Sequence, residues 1–255
     1  MNDAPVESVG AGLIASFGSR MTLADGECTT HGASKALVRT GSPWHCPTCF
    51  EVKLKADTER IANYDRAAWL MKVATLPDRY IDQRFTATTD DQRAVLLSAK
   101  LFRDFILKER AWAALIMTGI TGTGKTLLAC QLAQTLMTKA SRSVRYITAQ
   151  GMISEVQASY RTDGKTEEGE ILRFAQYDVL ILDEIDAIRA TENANLLLTE
   201  IINRRYNENK PVIAISNQPL AHLAKYVGER VHSRLHENAF TCDFNWGDFR
   251  KGAQP

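Results

Sequence analysis

The 255-residue chain sets 31 Lys and Arg against 30 Asp and Glu, a formal net charge of +1. That balance excludes nucleic-acid binding through a global positive field, so any such contact must come from a local patch. Hydrophobic content of 45% and charged content of 24% suit one substantial globular core with a small appendage, and no run of about 18 apolar residues is present to cross a membrane.

Residues 1–24 open with "MNDAPVESVGAGLIASFGSR", which mixes small and apolar residues without period and lacks a basic n-region. They read as a flexible leader rather than a signal peptide. Residues 25–56 hold a Cys/His cluster in a loop-rich composition with Gly26, Gly32, Gly41 and Pro43. Cys28 and His31 form a C-x2-H pair, and Cys46 and Cys49 form a C-x2-C pair fourteen residues further on. Four such ligands close a tetrahedral Zn2+ site, which makes the metal structural rather than catalytic. His45 is an alternative to His31. A module this small buries little core, so zinc would supply most of its folding free energy. The remaining two of the five cysteines, Cys130 in "LLACQLA" and Cys242 in "AFTCDF", sit in apolar surroundings as buried free thiols. This usage points to a reducing compartment, the cytosol.

Residues 57–90 read as a helical linker. "DTERIANYDRAAWLMKV" predicts a helix over 57–73 opening at an Asp57 cap, and the period breaks around Pro77. From 91 onward helical and strand-like segments alternate to the end. Helices are predicted over 92–110, 125–139, 150–160, 167–175 and 194–207. Strands are predicted over 113–118, 143–148, 178–182, 211–216 and 239–244. Short apolar strands separated by helices predict an α/β domain with a parallel sheet between helices.

"GITGTGKT", Gly119 to Thr126, fits G-x-x-x-x-G-K-[ST] and lies between a predicted strand and a predicted helix. Gly119, Gly122 and Gly124 let the backbone turn its N–H groups toward phosphates, where the helix N-terminus adds its dipole. Lys125 is placed to reach the β- and γ-phosphates of ATP, and Thr126 to offer its hydroxyl to Mg2+. Thr121, Thr123 and Leu127 complete the nucleotide-binding set. In "YDVLILDEID" an apolar strand delivers Asp183 and Glu184 to its C-terminal end, where open α/β sheets bind ligands. Asp183 would hold Mg2+, and Glu184 would activate the attacking water. Asn217, at the end of the next strand, is placed to touch that water and the γ-phosphate. Arg230 and Arg234 are four residues apart, hence on one helical face.

In this order, and above all in "FAQYDVLILDEID", "IINRRYNENKPVIAISN", "YVGERVHSRL" and "FNWGDFR", the chain resembles the DnaC-type replicative helicase loaders, including those of phages and prophages, over residues 75–250. The resemblance implies an AAA+ ATPase that acts as a hexamer or open spiral. It would place a hexameric DnaB-type helicase on single-stranded DNA. Arg234 would be the finger that reaches a neighbouring subunit's ATP, with Arg230 assisting and Asn217 as the first sensor. A segment facing single-stranded DNA is implied at 150–175, where Tyr160, Arg161 and Lys165 are candidates; Tyr160 reads equally as a core residue. The Cys/His module would be a partner-binding head. A DNA-binding finger is the competing reading, although Lys35 and Arg39 make a thin phosphate footprint. About twenty residues follow Arg234, which predicts a reduced or absent helical lid. The IstB-type transposition ATPases, which deliver a transposase to duplex DNA, share the nucleotide motifs and match less well around "GER".

Overall fold

In the computed structural model, residues 21–162, 164–188 and 191–249 are described. Residues 1–20 of the expected leader lie outside them, while Met21–Ala24 already belong to the first strand. Two compact units divide the chain, one ending at Tyr64 and the other beginning at Asp65.

The first unit is an antiparallel hairpin followed by the first half of a helix. Strands β1 (Met21–Cys28) and β2 (Gly32–Arg39) pair over their full length, from Met21 opposite Arg39 to Cys28 opposite Gly32. Sequence alone suggested loops here, because alternation is weak and glycine is frequent; ladder hydrogen bonding decides otherwise. Helix α1 runs Pro47–Ala74, ten residues earlier than the Asp57 cap suggested. Its first position is the proline, which has no N–H to leave unpaired and a φ already suited to a helix. The Phe50 N–H then closes the first turn on the Cys46 carbonyl at 2.9 Å.

In the second unit, α2 (Asp90–Lys108) opens with a capping box between Thr89 and Gln92, an arrangement worth about 1 kcal/mol. The five strands are β3 (Ala114–Gly119), β4 (Val144–Thr148), β5 (Val179–Asp183), β6 (Val212–Ile215) and β7 (Ala239–Phe244). All are parallel, in the order β4-β5-β6-β3-β7. Alternate residues feed opposite faces. Leu115, Met117 and Ile181 pack with Phe102 of α2 and Leu136 of α3 (Lys125–Ala140), together with Leu70 and Ala74 of α1. Ile116, Leu180 and Leu182 pack on the other face. There they meet α4 (Ala149–Ala158), α5 (Glu167–Gln176), α6 (Glu192–Asn207), α7 (Leu223–Val227) and α8 (Glu229–His236). Among the described residues no helix follows β7, and none is long and apolar enough to cross a membrane.

Arg205 of α6 is wholly buried. Its guanidinium donates to the carbonyls of Phe174 (2.8 Å), Ala175 (3.1 Å), Tyr177 (2.9 Å) and Pro211 (2.8 Å). It thereby satisfies the C-terminal end of α5 and ties it to the start of β6.

Candidate functional site

The loop from Gly119 to Gly124 leaves β3 and enters α3 at Lys125. Strand β6 lies between β3 and β5, so Asp183 emerges one strand beyond the loop's own neighbour. The topology nevertheless brings the two motifs together: Thr126 Oγ1 donates to Asp183 Oδ2 at 2.8 Å. A hydroxyl and a carboxylate oxygen side by side are hard ligands of the kind Mg2+ takes. Lys125 is buried, and its Nζ donates to the carbonyls of Gly119 (2.6 Å) and Ile120 (2.8 Å). Thr121 is exposed, Thr123 is buried with its hydroxyl on the Ile120 carbonyl, and Leu127 packs against the core beneath α3.

Asp183 is 7% exposed and well supplied with donors. Besides Thr126, Oδ2 accepts the Tyr146 hydroxyl at 2.7 Å, and Oδ1 accepts the Glu184 N–H at 2.8 Å. Burial, and then the Asp183 charge, push the Tyr146 phenol well above its ordinary range, so it stays a donor. Glu184 is exposed and sits at φ 52, ψ 43, a left-handed conformation that costs a non-glycine residue of order 1 kcal/mol or more. Asp186 accepts the Asn217 N–H at 3.0 Å and so ties the end of β6 to the turn after β5. Neither Tyr146 nor Asp186 was singled out in the sequence. Asp186 lies three residues after Asp183, a spacing that could have drawn attention to it.

The segment after β7 folds over the outside of the phosphate loop. The Trp246 indole N–H donates to the Thr123 carbonyl at 3.0 Å, and the Phe249 N–H to the Gly122 carbonyl at 3.1 Å. A side chain at Gly122 would meet the Asp248 carboxylate at 1.9 Å, and φ there is +86°. Glycine is therefore required twice over. Phe85 joins the cluster, with its ring centroid 6.2 Å from Trp246 and 6.5 Å from Phe249.

Arg230 and Arg234 line one groove of about 590 Å3 with Asn203, Glu229 and Ser233, as their shared helical face requires. Of the DNA candidates, Tyr160 is 53% exposed, which excludes the core alternative, and its hydroxyl donates to Glu167. Arg161 is also exposed, and Lys165 pairs with Glu170 at 3.5 Å.

In the first unit the ligand atoms of Cys28, His31, Cys46 and Cys49 all lie within 4.8 Å of one another. Cys28 Sγ is 3.7 Å from Cys49 Sγ, and His31 Nδ1 is 3.7, 3.6 and 3.4 Å from the three sulfurs of Cys28, Cys46 and Cys49. A tetrahedron with Zn–S of about 2.3 Å has S–S edges of about 3.8 Å, and slightly shorter edges to a nitrogen, so the donor set fits zinc. His45 lies outside the cluster and lines a neighbouring groove with Pro43 and Phe50. The Thr30 and His31 N–H groups pull the Cys28 thiol down to about 6. Its neighbour Cys28 pushes Cys49 up to about 11. Sulfurs this crowded cannot all ionise without a cation among them. Cys130 and Cys242 are buried, and burial raises their thiols to about 12 and about 11.

A phosphate loop, an acidic strand end one strand removed and a parallel sheet in this order define a P-loop ATPase fold of the AAA+ type. The family model "IstB-like ATP binding protein" matches residues 48–234, and the chain belongs to that family. The chain is 29% identical over 139 residues to the replicative helicase loader DnaC of Escherichia coli K12, covering 54% of this chain and 56% of that one. It is also 29% identical over 167 residues to the uncharacterized protein YdaV of the same strain, covering 65% and 66%. The chain thus spans little more than half the length of the first of these relatives. Among solved structures, the DnaC helicase loader superposes with a TM-score of 0.57 at 23% identity, covering 66% of this chain and 99% of that one. AMPPCP-bound DnaA from Aquifex aeolicus superposes at 0.54 with 21% identity, covering 66% and 51%.

Proposed function

We propose that this protein is an ATP-hydrolysing loader, which binds a hexameric DnaB-type helicase and places it on single-stranded DNA. Residues 91–255 form the ATPase domain, 57–90 the linker and 25–56 a zinc-binding head. Within the ATPase, the loop N–H groups and Lys125 bind the phosphates of ATP, while Thr126 and Asp183 hold Mg2+. Mg2+ held there would neutralise charge on the phosphates. Glu184 accepts the proton of the attacking water, and Asn217 orients that water. Arg234, assisted by Arg230, acts on the ATP of the next subunit in a hexamer or open spiral. Tyr160 and Arg161 are the exposed contacts for single-stranded DNA, Tyr160 by stacking. Lys165 is the weaker candidate, since Glu170 already neutralises it.

The observation that carries the reading beyond an ATP-binding module is an apolar stripe on the first half of α1. Phe50, Leu54, Ile61 and Tyr64 recur at helical spacing and are 55–75% exposed. Exposed apolar side chains sharing one helical face in this way, here interrupted by Asp57, suit a protein-binding surface. Zinc at Cys28, His31, Cys46 and Cys49 would fold the hairpin against the start of that helix, since Cys46 and Cys49 flank its first turn. The test is co-purification with a DnaB-type helicase, followed by helicase transfer to a single-stranded circle in the presence of ATP. Phe50→Asp and Tyr64→Asp should abolish capture. The family's IstB name supports a second reading, delivery of a transposase to duplex DNA. Tighter binding to duplex than to single strands, with no helicase captured, would favour it.

A further inference from the structure

We propose that Tyr146 is a positioning residue for the divalent cation of the nucleotide site, and that Thr75 holds Tyr146 in place. The inference rests on the nucleotide reading above. β4 is an edge strand of the sheet, with β5 on one side only. Side chains on an edge strand are the least constrained in a sheet, yet Tyr146 is tied at two points. Its carbonyl oxygen lies 2.7 Å from Thr75 Oγ1, a donor shared with the Ala74 carbonyl, also at 2.7 Å. Its hydroxyl donates to Asp183 Oδ2 at 2.7 Å. Between these points the half-buried ring packs against the core beneath α3. Thr75 follows α1 directly and stands at φ 55, a left-handed residue fixed by the end of that helix.

Three of the donors to Asp183 differ in what they can do. The Glu184 N–H belongs to the backbone and is directed at Oδ1. The Thr126 hydroxyl is shared, because its oxygen is also the expected ligand of the cation. The Tyr146 hydroxyl has no such second task and remains to fix the plane of the carboxylate. Partners behind a metal ligand set its orientation, and their loss costs on the order of 10- to 100-fold in metal affinity or activity. Phenylalanine keeps the ring and its packing but cannot donate.

The experiment titrates Mg2+ into the full-length protein with a fluorescent ATP analogue, after nucleotide affinity has been measured in EDTA. Mn2+ electron paramagnetic resonance then counts bound metal without reference to hydrolysis. Tyr146→Phe is expected to bind nucleotide in EDTA like the wild type, to melt with it, and to need about tenfold more metal for half-saturation. Thr75→Val should shift the metal midpoint in the same direction by a smaller factor. A metal midpoint for Tyr146→Phe within about twofold of the wild type, outside the range expected of such partners, overturns the proposal. Should the phenylalanine variant melt early, Thr75→Val decides by direction, since it leaves the phenol in place; an unshifted midpoint overturns the proposal. A wild-type protein that binds no nucleotide in EDTA or Mg2+ refutes the nucleotide reading itself and this inference with it. Normal nucleotide binding with an unshifted Tyr146→Phe refutes the inference alone.

Discussion

The Arg234 guanidinium lies over the ring of Tyr206, 3.8 Å from its centroid. Tyr206 is held in turn: its hydroxyl donates to the Glu237 carboxylate (2.9 and 2.8 Å to the two oxygens), and Trp112 packs edge-on at 5.4 Å. The Trp112 indole N–H also donates to the Arg234 carbonyl at 3.0 Å, so the backbone and head of Arg234 rest on one aromatic platform. Stacking of this kind orders a long side chain while leaving its N–H fork available to a partner. Arg234→Ala should therefore lower ATP hydrolysis on the order of 10³-fold, and Arg234→Lys nearly as much, since lysine lacks the planar fork. Mixing Lys125→Ala with Arg234→Ala should restore part of the activity, because one interface then pairs an intact loop with an intact finger. No restoration by two variants that co-assemble would place Arg234 outside any neighbour's site.

Lys125 and Glu184 should separate binding from chemistry. Lys125→Ala removes a buried cation from the phosphate loop and is expected to weaken ATP binding. Glu184→Gln keeps the shape of an exposed side chain and is expected to bind ATP while hydrolysing it at least 10²-fold more slowly, about the contribution of a general base. Equilibrium binding and single-turnover hydrolysis on both variants check this. Equal loss of affinity would contradict the division of roles.

The Cys/His cluster should carry about one Zn2+ per chain, the stoichiometry of a single closed four-ligand site. Cys46→Ser should lose the metal while nucleotide binding survives, because the ATPase unit has its own core. Acidification should release zinc, since protons compete for the thiolates and a metal ligand must be deprotonated. Elemental analysis and a chromogenic chelator across a pH series read both effects. Metal-free protein with an intact hairpin would refute the assignment.

The C-terminal strap should matter to nucleotide affinity. Trp246→Phe keeps an aromatic ring in the cluster with Phe85 and Phe249 but removes the donor to the Thr123 carbonyl. Losing one such bond costs about 1 kcal/mol, so a severalfold weaker ATP affinity is expected. Calorimetry on the variant checks this; unchanged affinity would show that the strap packs on the loop without shaping it.

Arg205 should be a stability determinant. Replacement by leucine takes the guanidinium donor from the Phe174, Ala175 and Tyr177 carbonyls, while Pro211 keeps the Leu180 N–H, and is expected to cost about 3 kcal/mol. The denaturant midpoint measures it. A midpoint equal to the wild type would mean that water or a local shift replaces the guanidinium.

The sequence was most informative where chemistry is local. The phosphate loop is one continuous octapeptide whose glycines and lysine act through their own backbone and side chains. The inner strands β3, β5 and β6 were legible because residues buried on both faces of a parallel sheet must be apolar throughout. Pairing was not legible in the same way. β1 and β2 alternate too weakly to be seen alone, and only their mutual ladder makes them strands. α1 starts at Pro47 rather than Asp57 because Pro47 and the Cys46 carbonyl open the first turn ahead of the capping signal.

Local pattern determined the phosphate loop, the acidic strand end, the arginine pair and the two cysteine-containing ligand pairs, since each is written in neighbouring residues, whereas the choice of His31 over His45 needed the fold. Tertiary structure alone decided which side chains support them. Tyr146 reaches Asp183 from an edge strand 37 residues earlier in the chain, and Trp246 reaches Thr123 across 123 residues. Such contacts depend on strand order and on the path of the chain after β7. No short stretch of sequence encodes either, because each is set by burying all the apolar faces at once.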